Sequence, residues 1–194
     1  MKKIGLLLIL ILISFSLVGC ESDGLLKGKH YVEITVKDYG KIKLELDADV
    51  APITVTNFIK LVKSNFYDGT TFHRIINGFM IQGGAPKDNN YPETIVGEFS
   101  KNGYENNILH ERGVISMARS NQMNSASSQF FIVHQDSPHL NGNYAAFGRV
   151  ISGMVVVDKI AQVPIIPNTD GIVADENQPI IESIRVVEKW QRQS

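Results

Sequence analysis

The 194-residue chain contains a single cysteine, so no disulfide can form within it and a folded domain must rest on its apolar core. Charge is nearly balanced, with 19 Lys and Arg against 20 Asp and Glu, and no basic stripe runs through it. Binding to nucleic acid draws on the neutralisation of many phosphates, so no nucleic-acid partner is expected. With 16 Gly and 7 Pro the chain also falls short of a disordered or collagen-like composition. Gly-x-Ser-x-Gly, Walker A, Gly-x-Gly-x-x-Gly and His-Glu-x-x-His are all missing, which leaves hydrolase, nucleotide and zinc-protease chemistry without a motif. Of the five histidines only His134 and His139 lie close together, without Cys partners or a carboxylate at ligand spacing, so no metal is implied. What is present is 43% apolar residues, enough for the core of one globular domain.

The first twenty residues account for the cysteine. Met1-Lys2-Lys3 is a basic start, and Ile4 to Val18 is an uncharged apolar run of about 15 residues, short of the ~20 that span a bilayer. Glu21-Ser22-Asp23-Gly24 follows, where a stop-transfer flank would be basic. The run ends in Leu17-Val18-Gly19-Cys20, which resembles the lipobox of bacterial lipoproteins. That resemblance implies lipid on the Cys20 thiol and cleavage before it, with each buried CH₂ contributing about 0.8 kcal/mol to holding the protein on the outer face of a cell membrane. The expected organisation is a signal peptide over 1–19, a lipidated Cys20 and flexible tether over 20–29, and one domain over 30–194.

Within the domain, Tyr31 to Val36 and Lys41 to Leu46 alternate apolar with polar residues around Asp38-Tyr39-Gly40, which predicts a β-hairpin. Pro52 opens a stretch in which Val55, Phe58, Leu61 and Val62 recur at helical spacing as far as Asn65. A second helix is predicted over Gly153 to Ala161 from the spacing of Met154, Val157, Ile160 and Ala161, although its valines also suit a strand. Short runs of β-formers fill the rest: Thr71 to Ile76, Phe79 to Gln82, Val114 to Met117, Phe130 to Val133, Ala145 to Val150 and Ile180 to Val187. About eight short strands with two helices describe a mainly β antiparallel barrel or sandwich rather than a βαβ array.

The most distinctive local feature is an arginine among apolar and amide side chains, in Thr71-Phe72-His73-Arg74-Ile75-Ile76 and Gly78-Phe79-Met80-Ile81-Gln82-Gly83-Gly84. Strict alternation places Phe72, Arg74 and Ile76 on one face of their strand, and Met80 with Gln82 on one face of the next. An isolated arginine of this kind usually snorkels to solvent.

This one is not isolated. The run from Phe66 to Ile76, continued through Gly84, resembles the signature of cyclophilin-type peptidyl-prolyl isomerases. Further matches follow in the family's order: Gly97-Glu98-Phe99, Glu105-Asn106-Asn107, His110, Ser116-Met117-Ala118-Arg119, Ser128-Gln129-Phe130-Phe131-Ile132, His139-Leu140-Asn141-Gly142 and Ala146-Phe147-Gly148-Arg149-Val150. The resemblance runs from Tyr31 to Val187 and implies a closed eight-stranded antiparallel barrel capped by two α-helices. It further implies that Arg74 is catalytic, that Phe79, Met80, Phe131 and Leu140 line a proline pocket, and that Gln82 and Gln129 contact substrate. His73 and His110 match positions near the site, Tyr144 stands at the pocket rim where animal members have His, and the backbone at Arg119 matches the segment that pairs with an extended substrate. His139 stands where animal members usually have Trp, which implies weak cyclosporin binding. Asn77 replaces the family's usual Pro, and the Ser120 to Ser127 loop is longer than its short form.

No cofactor is implied. The expected activity is rotation about X-Pro bonds in unfolded or extended segments of exported or surface proteins, by a monomer held at the membrane through Cys20. A proline-binding chaperone or scaffold with incidental isomerase activity is the alternative, since the same pocket and arginine would serve simple capture.

Overall fold

The computed structural model describes residues 24–189. The expected signal peptide, Cys20 and the start of the tether lie outside these residues. Strands β1 (Lys29–Val36) and β2 (Gly40–Asp47) form the expected hairpin, turning through Asp38 and Gly40 at positive φ. Their alternation sends Val32, Ile34, Val36, Ile42, Leu44 and Leu46 inward.

Helix α1 (Pro52–Lys63) buries Val55, Phe58, Ile59, Leu61 and Val62, and the chain leaves it through Asn65 in the left-handed region. Its N-terminal neighbour Ala51 has no side chain able to cap. The buried carboxylate of Glu98 does so from across the fold, accepting from Ile53 N at 3.0 Å, Thr54 N at 2.7 Å and Thr54 Oγ1 at 2.6 Å. Strands β3 (Phe72–Ile76), β4 (Met80–Gly83), β5 (Val114–Met117), β6 (Phe130–Val133) and β7 (Ala146–Ser152) follow, then helix α2 (Met154–Ile160) and strand β8 (Ile181–Val187). The valines of α2 do not turn it into a strand, because helical spacing lets Val156, Val157 and Ile160 bury together.

All eight strands join one antiparallel sheet in the order β3-β4-β6-β5-β7-β2-β1-β8, curled so that α1 packs against β2 and β8 and α2 against β2. The expected closed barrel is closed only in part. At the seam between β3 and β8 a single bridge joins Thr71 to Ile180, with Phe72 N–H donating to Pro179 and Ile181 N–H to Thr70. Only the start of each edge segment comes within hydrogen-bonding reach, so no continuous ladder forms there.

The folded part also begins earlier than the expected boundary at His30. Leu26 packs against the core and its N–H donates to Thr56 Oγ1 at 2.9 Å, while Gly28 N–H donates to Asp49 Oδ1 at 2.8 Å. The C-terminal end of the expected 20–29 tether is therefore docked on the domain. Among the described residues no helix is long and apolar enough to cross a membrane.

Strands β5 and β6 are buried on both faces, and β4 nearly so. Alternation divides their side chains between two apolar clusters. Ile81, Ile115, Met117, Phe130 and Ile132 face the interior with both helices. Met80, Val114, Phe131 and Val133 face the other way, where Leu140 and Ala146 join them. The second cluster forms the floor of the site.

Candidate active site

Sheet register carries one row of side chains across four strands. Arg74 of β3 lies opposite Gln82 of β4, Gln82 opposite Phe131 of β6, and Phe131 opposite Ser116 of β5. A parallel row places Ile76 opposite Met80 and Met80 opposite Val133. Directly opposed residues share a face, so Arg74, Gln82, Met80 and Phe131 converge without help from any loop.

Strand β3 departs from the strict alternation read from its sequence. A register shift falls between Phe72 and Arg74, and Phe72 and Ile75 both enter the interior while Arg74 and Ile76 stay on the outer face. A bulge of this kind re-aims side chains. It separates Arg74 from Phe72, its expected apolar companion.

Arg74, Phe79, Met80, Gln82, Ala118, Arg119, Phe131, Leu140 and Tyr144 enclose a cavity of about 180 Å³. Phe79, Met80, Phe131 and Leu140 give it an apolar part, and Arg74 stands on one side with Nη1 3.2 Å from Gln82 Oε1. Gln82 Nε2 donates onward to Gln129 Oε1 at 2.8 Å, and Gln129 Nε2 to Tyr91 Oη at 3.1 Å. The chain of amides leads into a second cavity of about 370 Å³, bounded by Gln82, Ala118, Arg119, Gln129, Tyr91 and the serines of the 120–127 loop. Within the longer 120–127 loop, Ser120, Ser125 and Ser127 line it.

Arg119 builds the wall between the two cavities. Its Nε and Nη2 donate to the Asn143 carbonyl at 2.9 and 2.7 Å, and its guanidinium sits 4.7 Å from the Tyr144 ring centre and 5.0 Å from that of Phe99. Tyr144 in turn meets Phe131 edge-on at 5.7 Å.

Three expected residues stand behind or beside the cavity rather than in it. His110 is buried and stacks on Phe131 at 6.0 Å. Its Nδ1 lies 3.1 Å from Asn141 Oδ1 and its Nε2 3.1 Å from Ser116 Oγ, which suits a neutral ring that donates to the amide and accepts from the hydroxyl. Burial lowers its pKa, as it does that of His73, which lies beside Gln129. His139 is exposed and packs on the Phe79 ring at 5.2 Å. Ala118 and Tyr91 are lining residues that the sequence did not single out, and Asp170, which lines neither cavity but binds Arg74, was not singled out either. Ala118 lies inside a quoted motif, whereas nothing local in the sequence marks Asp170.

An arginine held beside a cavity with an apolar part, with amides leading away from it, can receive an extended peptide and donate to it. Ser116, beneath Phe131, is turned to His110 rather than to the cavity. The sequence model of the family described as cyclophilin type peptidyl-prolyl cis-trans isomerase matches residues 31–188. The chain belongs to this family. A peptidyl-prolyl cis-trans isomerase of Acinetobacter baylyi is 45% identical over 156 residues, covering 76% of this chain and 82% of that protein. Peptidyl-prolyl cis-trans isomerase A of Dickeya dadantii is 40% identical over 159 residues, covering 77% and 81%. Among solved structures, a cyclophilin-type isomerase of Cryptosporidium parvum superposes with a TM-score of 0.73 at 29% identity, covering 84% of this chain and 99% of that one. A structure determined in the presence of the dipeptide Ala-Pro superposes with a TM-score of 0.71 at 30% identity, covering 82% and 99%. The cyclophilin-type isomerase described here is thus a peptidyl-prolyl cis-trans isomerase, and its cavity lies where sheet register delivers Arg74.

Proposed function

We propose that Arg74 catalyses X-Pro rotation by hydrogen bonding to the prolyl nitrogen in the twisted amide. Rotation faces a barrier of about 18–20 kcal/mol because amide resonance is lost at the perpendicular geometry. There the nitrogen regains a lone pair, and a guanidinium can donate to it at any physiological pH. Phe79, Met80, Phe131 and Leu140 grip the pyrrolidine ring while the preceding residue turns against it. Shortening a hundred-second exchange to a millisecond one needs about 7 kcal/mol of preferential transition-state binding. A charge-assisted hydrogen bond in a partly dry site, with desolvation and shape, is of the right order. The observation that carries this reading is the convergence of Arg74 and Gln82 on the wall formed by Met80 and Phe131.

The same proposal places the enzyme outside the cytoplasm, held at the membrane by lipid on Cys20 and acting on exported or surface proteins. The sequence supports this through one cysteine at the end of an uncharged apolar run. Leu26, docked on the domain, is six residues beyond Cys20, so the domain would lie within roughly 20 Å of its anchor.

A protease-coupled isomerisation assay on the mature domain tests the catalytic reading. Arg74→Ala is expected to lower kcat/KM by about 100-fold or more while weakening peptide binding far less. Equal losses in both would favour the proline-binding scaffold. Mass spectrometry of the membrane fraction tests the anchor: an unmodified Cys20, or a retained 1–19 segment, would refute it.

A further inference from the structure

One edge of the Arg74 guanidinium is held by a single residue, Asp170, from the loop between α2 and β8. Nε donates to the Asp170 backbone oxygen at 2.8 Å and Nη2 to its Oδ2 at 2.6 Å. Nη1 reaches the other way, to Gln82 Oε1 at 3.2 Å and alongside Met80 Sδ at 4.0 Å. A guanidinium carries five N–H donors in one plane. Contacts at both ends fix that plane and leave donors on the terminal nitrogens for a ligand in the cavity.

The loop is itself fixed against the edge of β3. Ile75 N–H donates to the Gly171 carbonyl at 2.7 Å, Val173 N–H donates to the His73 carbonyl at 3.0 Å, and Arg74 bridges Ile172. Gly171 has φ +82°, and a Cβ there would lie 2.5 Å from the Ile75 carbonyl oxygen and 2.7 Å from Ile76 Cγ1. Only glycine lets the loop approach so closely. Asp170 therefore arrives in register with Arg74 rather than meeting it by chance on the surface.

The Asp170 side chain is 81% exposed and that of Arg74 24%. A pair so open to water adds little to fold stability. Its effect is on geometry: an arginine that must otherwise give up rotamer freedom when it meets the twisted amide is already ordered.

We propose that Asp170 is a positioning residue for catalysis, orienting the Arg74 guanidinium through its backbone and carboxylate oxygens. The proposal rests on the reading of Arg74 as the catalytic group. NMR exchange measurements on an X-Pro peptide, which separate kcat from KM, test it with wild type, Asp170→Ala, Asp170→Asn and Arg74→Ala. Asp170→Ala is expected to lower kcat about three- to tenfold with KM and melting temperature unchanged. Asp170→Asn keeps an oxygen acceptor and is expected to return kcat to within about twofold of wild type. The Arg74 Nε–H resonance, sharp in wild type, is expected to broaden in Asp170→Ala. Wild-type kcat in Asp170→Ala, a loss that follows a lowered melting temperature, or no rescue by Asn overturns the proposal. If Arg74→Ala is slow while Asp170→Ala is not, the positioning role alone fails. If Arg74→Ala itself turns over normally, the catalytic reading fails first.

Discussion

Phe130 and Phe131 are consecutive in β6 and lie on opposite faces of the sheet. Phe130 meets Phe58, Tyr67 and Phe72 edge-on at 5.7, 5.7 and 6.1 Å inside the fold. Phe131 meets Tyr144 at the cavity and His110 behind it. The same pair of amino acids thus serves the core and the site, one position apart.

Alanine at each position is expected to separate stability from catalysis. Phe130→Ala should cost about 3–5 kcal/mol in urea unfolding, because it opens a void among interlocked rings. Phe131→Ala should cost less in stability yet lower kcat/KM for X-Pro peptides by about tenfold or more, since it removes one wall of the proline cavity. Similar stability losses with similar residual activity would contradict this division.

Arg74→Lys keeps the charge but loses the planar fork that spans Asp170 and Gln82. Its kcat/KM is expected to stay close to that of Arg74→Ala, at least about 30-fold below wild type. Substantial recovery by lysine would show that charge alone suffices.

Glu98 caps α1 from 44 residues away and is 2% exposed. Glu98→Ala leaves the Ile53 and Thr54 donors unpaired and is expected to destabilise the domain by about 2–3 kcal/mol. The active site lies elsewhere, so kcat/KM at 10 °C should stay within about twofold of wild type. Calorimetry together with the isomerisation assay checks both.

Acid should weaken the fold in two separate windows. His73 and His110 have pKa values lowered by burial, so the unfolded chain binds protons more readily than the folded one. Stability is then fully present above about pH 6.5, declines as pH falls below that value, and levels off once the lowered folded-state values are passed. Asp68 behaves differently. Its hydrogen bonds to Arg185 lower its pKa, and its contribution is lost only below roughly pH 4. Urea midpoints at pH 7.5, 6.0 and 5.0 should decrease in order, and His110→Gln should flatten that slope from a lower starting stability. A midpoint that does not move between pH 7.5 and 5.0 would contradict the histidine assignment.

Side chains whose placement follows from local period were legible before the fold was known. Val114–Met117 and Phe130–Val133 are strands at the predicted bounds, and the helix that starts at Pro52 buries the predicted stripe. Arg74, Phe79, Met80, Gln82, Phe131 and Leu140, named through motif order, meet at one cavity. His73, His110 and His139 matched the same motifs yet line no part of it, because proximity in a motif does not say which layer a ring occupies.

The amino-acid sequence by itself determined the alternation of strands, the amphipathic helix and the short-range clustering of arginine with apolar and amide residues, since these depend on steric preferences a few residues long. Tertiary structure alone decided the bulge that parts Arg74 from Phe72, the carboxylate of Glu98 on the end of α1 and the arrival of Asp170 at the guanidinium. Each joins segments far apart in the chain or departs from strict period, and is selected by the combined packing of the sheet rather than by any local preference.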